Sequence, residues 1–473
     1  MGVEKNQLKH RWHFRTEERQ VILLIGDLAV TYLALFIGLY FWGQKDWLHF
    51  SWAFLGQRAP VWFYLLPFAW VLCLIEIYDV RKANRKSDVY RGVGTAAVVG
   101  IVIYLLIFFL SAPNSLPRRG VFIFILAAIV LTIIWRLIYI KIFTDPMFLR
   151  RVLMIGAGHA GSTLVSMLNE IHPAPFILAG YIDDDPQKMG KEINGYKVIG
   201  DSSNLLQLVE SLEISDLIFA IAGEVRPELF QAVLNAEEKG IEVTSFPTFY
   251  EQQFGRVPIF LLESDWLLRT FIDQSHTTGL YESIKRLIDL IGGLIGLLAL
   301  IVLFPLIALA ILVDSGRPVL YSQMRVGKNG QPYKILKFRT MVQDAEKDGV
   351  ARTATANDTR ITRFGKILRR SHLDELPQVI NVLKGENSIV GPRAEQIELV
   401  NQFQKEIPFY RARLLVRPGL TGWAQINQRY ATTVQDTAVK LEYDLYYIKK
   451  RNLLLDLNII LRTVGAVLGF KGL

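Results

Sequence analysis

Cysteine is almost missing from this chain. Cys73 is the single one in 473 residues, and it sits inside an apolar segment. An intramolecular disulfide is thereby excluded, and so is any metal cluster built on cysteines. Charged residues are sparse as well, 21% against 51% hydrophobic. They form no lysine-rich tail, no RNA-binding signature and no zinc-finger spacing, so nucleic acid is not an expected partner. Internal repeats, low-complexity tracts and long linkers are absent too. No small-residue cleavage site follows the first apolar stretch, and no cleavable leader is expected. The charge that is present leans positive, with a formal net of +9. That balance suits anionic lipid or phosphorylated small molecules. The length allows roughly three domains.

The apolar residues come in blocks. Four stretches, 21–42, 60–78, 93–112 and 121–143, are each long enough at about 1.5 Å per residue to cross a hydrocarbon core of about 30 Å. Tyr40, Phe41, Trp42, Trp47, Trp62 and Trp135 gather near their ends, as at a membrane interface. The tail before the first stretch holds Lys5, Lys9, Arg11, Arg15 and Arg19, and the second connection holds Arg81, Lys82, Arg85, Lys86 and Arg91. The alternate connections hold only Lys45 and Arg58, then Arg118 and Arg119. The positive-inside rule puts both ends of a four-helix unit on the cytoplasmic side.

A soluble α/β pattern follows. Arg151–Ile155 reads as a buried strand, and Gly156-Ala157-Gly158-His159-Ala160-Gly161 opens a helical pattern. A second strand, 177–182, ends at Asp183, where a dinucleotide-binding fold places its ribose acid. Further strands fit 216–222 and 241–246. The expected fold is a Rossmann-like sheet. A lone glycine motif is weak support for a bound nucleotide, so Gly156, Gly158, Gly161 and Asp183 are cofactor candidates beside the alternative of a purely structural turn.

A fifth apolar stretch, 287–313, carries Pro305 deep inside and basic residues at both flanks: Lys285 and Arg286 before, Arg317, Arg325 and Lys328 after. A kinked helix that enters and leaves on the cytoplasmic face satisfies both features, with a plain fifth span as the alternative. Beyond it the chain turns polar and basic. Strands fit 333–338 and 386–390, and amphipathic helices fit 394–405 and 453–470. Period 2 would point Lys337 and Arg339 to one face, where two cations can converge on one anion. Arg393 follows a Gly-Pro turn. The pair Asp374-Glu375 stands between the basic run Arg360, Arg363, Lys366, Arg369, Arg370 and Arg393. An isolated acidic pair is more often a helix start complementing the macrodipole. Among arginines that neutralise phosphate oxygens, an ionised Asp suits attack on phosphorus.

The motifs Lys285-Arg286-Leu287-Ile288-Asp289, Lys337-Phe338-Arg339-Thr340-Met341, Leu373-Asp374-Glu375-Leu376-Pro377-Gln378, Asn381 to Glu386, Gly391-Pro392-Arg393, Arg417 to Gln425 and Tyr443 to Lys449 follow in order from residue 285 to near the end of the chain. Together they closely resemble the bacterial polyprenyl-phosphate hexose-1-phosphate transferases, in the large polytopic branch that starts exopolysaccharide, capsule and O-antigen units. The resemblance implies a reaction between a UDP-sugar and polyprenyl phosphate that releases UMP, at the bacterial inner membrane and from the cytoplasmic side. It implies Asp374 as nucleophile, with Glu375 and Mg²⁺ in support and both carboxylates as metal candidates. Lys337, Arg339, Arg393, Arg429 and Asp444 would bind substrate, and Pro305 would break a re-entrant helix. Membrane lipid is a partner on this reading, and a homodimer stays open.

The sequence departs from the family pattern twice: Ala394 stands where many relatives have a second proline, and Asn427-Gln428-Arg429-Tyr430 replaces an Asn-Gly-Arg-Asn form. The first loosens the turn, and the second leaves the sugar open. The expected architecture is a membrane protein with four parts. Residues 1–145 form a tail and four-helix transmembrane bundle, and 146–278 a Rossmann-like α/β domain. Residues 279–316 form a re-entrant membrane helix, and 317–473 a small, mostly helical α/β catalytic domain. Two competing readings are a membrane-anchored NAD-dependent nucleotide-sugar dehydratase or epimerase, and a non-enzymatic nucleotide-sensing regulator. The first needs a second glycine-rich loop, which is absent after Gly279, and a Tyr-x-x-x-Lys pair, whose spacing Tyr446 and Lys450 match.

Overall fold

The computed structural model describes residues 16–59, 61–110, 118–143, 149–169, 174, 176–221, 225–261, 279–342, 358, 360–428 and 433–468. They divide into two compact units, Met1–Phe249 and Tyr250–Leu473.

In the first unit, three helices are long and apolar enough to cross a membrane: Thr16–Gly43, Lys86–Leu110 and Arg118–Phe143. The expected second span is not one helix. It resolves into a 3-10 turn Val61–Leu65, a helix Leu66–Cys73 and a second 3-10 turn Ile75–Tyr78. Pro67 accounts for the division, because it lacks the amide hydrogen a continuing helix needs and so stands in the first turn of a new one. Two polar ties cross the apolar interior. Trp70 Nε1 donates to Thr132 Oγ1 at 3.2 Å. Arg136, fully buried, donates to both oxygens of the equally buried Asp27 at 3.3 and 2.5 Å and to the Ile77 carbonyl at 2.7 Å. Charges persist in such a place only when paired and hydrogen-bonded on every side.

The α/β part of this unit is a six-stranded sheet in the order β3-β4-β2-β1-β5-β6. The strands are β1 (Arg151–Ile155), β2 (Ile177–Ile182), β3 (Glu192–Ile193), β4 (Tyr196–Gly200), β5 (Asp216–Phe219) and β6 (Glu242–Ser245). All pairs are parallel except the edge pair of β3 and β4. Central β1 buries Val152, Leu153, Met154 and Ile155 in succession, the continuous apolar run of a strand covered on both faces. The expected strands are all present, within a few residues of their expected ends.

The second unit begins earlier than the composition shift at 279. Val257 and Ile259 belong to its core with Val390, Trp423, Leu441 and Leu445. Trp423 Nε1 donates to the Gly255 carbonyl at 2.7 Å, and Lys449 pairs with Glu251 at 2.6 Å. Two small sheets are present among the described residues, the antiparallel pair β7 (Leu320–Val326) and β8 (Pro332–Phe338) and the parallel pair β9 (Ser388–Val390) and β10 (Gly419–Thr421). Helices supply the rest, including Arg363–Arg370, Val379–Lys384, Ile397–Glu406, Val434–Lys450 and Leu453–Leu468.

One helix of 37 residues, Gly279–Ser315, contains Pro305, and its helical turns continue on both sides of the proline. A proline removes one hydrogen bond from the ladder, and a helix held by packing on both sides of it survives that loss. Here packing holds both halves on the same domain. Toward the start, Arg286 donates to the carbonyls of Val382 and Leu383, both at 2.7 Å, and Asp289 Oδ1 accepts from Ser388 Oγ at 2.9 Å and the Ile389 amide at 2.8 Å. Toward the end, Leu300, Ile307 and Ile311 share a cluster with Phe338, Leu368 and Val379. Asp314 accepts from the Phe364 amide at 3.0 Å. The outer face, with Leu294, Ile295, Leu298, Val302, Leu306 and Leu309, is left exposed as an apolar stripe.

Candidate active site

Asp374 and Glu375 lie in a 3-10 turn, Leu373–Gln378, wedged between helices Arg363–Arg370 and Val379–Lys384. The helix before it starts on Thr362, whose side chain accepts from the Gly365 amide at 3.0 Å. His372 then reverses the chain with a left-handed φ of 57°, a conformation a non-glycine residue adopts only when its surroundings hold it there. The turn packs against β8. Buried Asn381 fixes that contact, accepting from the Leu336 amide at 3.3 Å while its own amide donates to the Lys334 carbonyl at 2.8 Å and to Glu386 at 2.7 Å. Lys337, near the end of β8, is thereby brought onto the acidic pair.

The two carboxylates are treated differently. Glu375 Oε1 takes Lys337 Nζ at 2.7 Å and Arg393 Nη2 at 2.6 Å, while its Oε2 meets Arg393 Nη1 at 3.4 Å. Burial alone would raise the Glu375 pKa, but Arg393 and Lys337 outweigh it and hold the group below the ordinary range. Asp374 is only 8% exposed, yet none of the described residues hydrogen-bonds its carboxylate. Burial, and then the charge of Glu375, push its pKa above the usual value, against the pull of Lys337, Arg369 and Arg393. Arg369 is aimed by Thr340, which accepts its Nε at 2.9 Å. One acid therefore organises the cations, and its neighbour sits in their field with free lone pairs.

Arg393 is set in place by backbone. β9 and β10 bring Gly391-Pro392-Arg393 against Arg417-Pro418-Gly419-Leu420-Thr421-Gly422: the Gly391 amide donates to the Thr421 carbonyl at 2.8 Å, and the Gly419 amide to the Pro392 carbonyl at 2.9 Å. The strands' glycines are required here. A Cβ on Gly391 would lie 2.4 Å from the Arg417 carbonyl oxygen, and one on Gly422 would lie 2.2 Å from that of Gly391. These bonds hold the turn without the second proline that Ala394 replaces. Buried Ala394 packs with Tyr333 and Ile335 instead.

Three substrate-binding assignments are revised or left aside. Arg339 does not face the acidic pair. β8 ends at Phe338, the period-2 alternation ends with it, and the Arg339 guanidinium donates to the carbonyls of Ser315, Gly316 and Arg317. It is a buried cap on the negative end of the 37-residue helix. Asp444 pairs with Arg413 at 2.8 Å, and Arg413 donates to the Arg393 carbonyl at 3.0 Å. Its reach to the site is therefore indirect, through a buried arginine that carries no motif and that sequence reasoning missed. Arg429 lies outside the described residues. Asn427 and Gln428 of the same stretch bond within the domain, to the Trp423 and Asp436 carbonyls.

In the Rossmann-like sheet, Gly156 adopts φ 103°, as a strand-to-helix glycine turn requires, and a Cβ on Gly161 would lie 2.2 Å from the Gly156 carbonyl oxygen. Asp183 does reach the glycine loop, but its carboxylate is already occupied, accepting from the Ala157 amide at 2.8 Å, Lys188 at 2.9 Å and the Asp185 amide at 3.0 Å.

The second unit is mostly helical and carries a buried carboxylate among cations beside a long apolar helix. The bacterial sugar transferase profile matches residues 280–470, and a profile described as a CoA-binding domain matches 73–247. The chain is 31% identical over 339 residues to the UDP-glucose:undecaprenyl-phosphate glucose-1-phosphate transferase of Xanthomonas campestris pv. campestris, covering 69% of this chain and 68% of that one. It belongs to the bacterial sugar transferase family. It is 40% identical over 222 residues to the UDP-N-acetylgalactosamine-undecaprenyl-phosphate N-acetylgalactosaminephosphotransferase of Aeromonas hydrophila, covering 47% of this chain and about half, 52%, of that relative. It is also 41% identical to the exopolysaccharide production protein PSS of Rhizobium leguminosarum bv. phaseoli, where 38% of this chain covers 93% of the relative.

Proposed function

We propose that the protein transfers a sugar 1-phosphate from a UDP-sugar to a polyprenyl phosphate, releasing UMP, with Asp374 as the covalent nucleophile. The observation that carries this reading is the division within the acidic pair: Glu375 holds Lys337 and Arg393, and Asp374 beside them has no hydrogen-bond partner among the described residues. An Asp374 oxygen attacks the β-phosphorus. The bond from that phosphorus to the bridging oxygen breaks, and the oxygen leaves with UMP. An oxygen of the lipid phosphate then attacks the same phosphorus and returns the carboxylate, giving a lipid diphosphate sugar. Lys337, Arg369 and Arg393 offset charge on the phosphoryl oxygens in both steps.

Magnesium fits this donor set through Asp374, since the ion is commonly held by one or two carboxylates and completed by substrate phosphates. Among the described residues no group of three or more ligating side chains exists to form an all-protein cage. When bound it would supply charge neutralisation at the diphosphate. Glu375 is the poorer ligand, because its Oε1 already takes two cations.

The names of the relatives support the acceptor and donor classes, and they span two different sugars, glucose and N-acetylgalactosamine. On this reading the 37-residue helix dips into the bilayer and returns, because one domain packs on both its halves, and the catalytic unit faces the cytoplasm of a bacterial cell. The dehydratase reading loses ground in the second unit. Its two sheets have two strands each, and Tyr446 stacks on Trp423 with ring centroids 5.8 Å apart. Asp374→Asn tests the proposal. It abolishes UMP release from a UDP-sugar in a protein that still folds, whereas an undiminished rate removes Asp374 as nucleophile.

A further inference from the structure

A cationic recess in the second unit is not used by the mechanism above. It is a cleft to which Lys285, Lys328, Arg417 and Arg451 contribute four cations and Glu282 a single acid. Four separate segments build it: the opening turns of the 37-residue helix, the turn after β7, the strand lead-in Val416-Arg417 and the end of helix Val434–Lys450. Two of the cations have acidic partners. Lys285 pairs with Asp456 at 3.0 Å, and Arg451 pairs with Glu282 at 3.0 Å. Lys328 and Arg417 have none among the described residues. Lys328 is exposed and Arg417 half-buried, so an anion in the cleft would draw on the attraction of both.

Position says which anion. Glu282 and Lys285 stand on the helix immediately before exposed Leu287, where the apolar stripe of that helix begins. A ligand here can have its charge in the cleft and its tail along the stripe. Val416 lines both this cleft and a neighbouring pocket bordered by Pro392, Arg393 and Arg413.

We propose that this cleft is a second phosphoryl site, in which Lys328 and Arg417 hold the phosphate head of a lipid lying along the 37-residue helix. The proposal rests on the reading that the acceptor is a lipid phosphate, and it assigns that acceptor a seat apart from the donor's. Binding separates it from the alternatives. The full chain in nanodiscs, carrying Asp374→Asn to prevent turnover, is titrated with a polyprenyl phosphate, with the matching polyprenol, with UDP and with inorganic phosphate. Adding Lys328→Gln and Arg417→Gln weakens polyprenyl phosphate by about tenfold or more, the scale of two lost charge-assisted contacts. Polyprenol and UDP affinities stay as they were, and the charge-keeping pair Lys328→Arg with Arg417→Lys restores much of the loss. An unchanged polyprenyl phosphate affinity overturns the proposal. So does an equal fall for UDP, which gives the cleft to the nucleotide, or equally tight inorganic phosphate, which gives it to a free anion. The UMP burst of the unsubstituted protein without lipid acceptor reads the donor half-reaction separately, so a failure there is not confused with a failure here.

Discussion

Asp374 and Glu375 are neighbours in sequence with opposite electrostatic fates. Glu375 is held down by two cations it touches, and Asp374 is pushed up by burial and by Glu375 itself. The sign for activity follows. An attacking Asp374 must be ionised, so kcat/KM falls as pH drops through its pKa, and the acid limb lies above the ordinary carboxylate range. Lys337 favours the ionised form, so Lys337→Met moves that limb to higher pH and lowers the neutral-pH rate by about tenfold or more. A pH profile of UMP release checks both, and an acid limb unmoved by the substitution contradicts the assigned field. At this scale much of the site was legible in the sequence, because Asp374, Glu375, Lys337 and Arg393 are chemically marked and sit in short, rigid contexts. Arg413 was not, since it works only through contacts between segments distant in the chain.

Among the elements, the short strands and turns do more than the helices to aim the site. The alternation that places Lys337 held to Phe338 and no further, which is why Arg339 turned from a phosphate ligand into a helix cap. Its contacts are charge-assisted bonds to carbonyls at the end of the 37-residue helix. Arg339→Met therefore costs about 2 kcal/mol or more of stability and leaves the KM for the UDP-sugar unchanged in protein that remains folded. Thermal melts and initial rates separate the two effects, and a raised KM at unchanged stability would restore the ligand reading. Periodicity alone located the strands of the Rossmann-like sheet well, because its buried strands are uninterrupted apolar runs. It misjudged the stretch 60–78, where hydropathy sufficed for a span but Pro67 divided the helix. The occupied carboxylate of Asp183 could not be read from spacing, which says where a side chain stands and not what fills it. Weak or absent NAD(P) binding by this domain is the expected calorimetric result, and micromolar binding would show that Asp183 can release its internal partners.

For the whole molecule, the separation into two units matters most. The Rhizobium relative is covered almost completely by a part of this chain amounting to 38%, so a unit similar to this part exists there with little else attached. Residues 250–473, expressed in membranes, should release UMP from a UDP-sugar without the bundle or the Rossmann-like sheet. Loss of that activity in a folded fragment would give the first unit a direct part in catalysis. The 37-residue helix supplies the other test at this scale. Single cysteines placed at Ser283 and Gly316 in a Cys73→Ser background should both react with a reagent confined to the cytoplasmic side. Labelling of one alone would mean that the helix crosses.

The most direct measurement of the central claim is capture of the covalent intermediate. The protein is incubated with a UDP-sugar and no lipid acceptor, digested under acidic conditions, and its peptides weighed by mass spectrometry. The account predicts a sugar phosphate adduct on the peptide containing Asp374, absent in Asp374→Asn and discharged by added polyprenyl phosphate. UMP release that depends on lipid from the first turnover, with no adduct on that peptide, would contradict it.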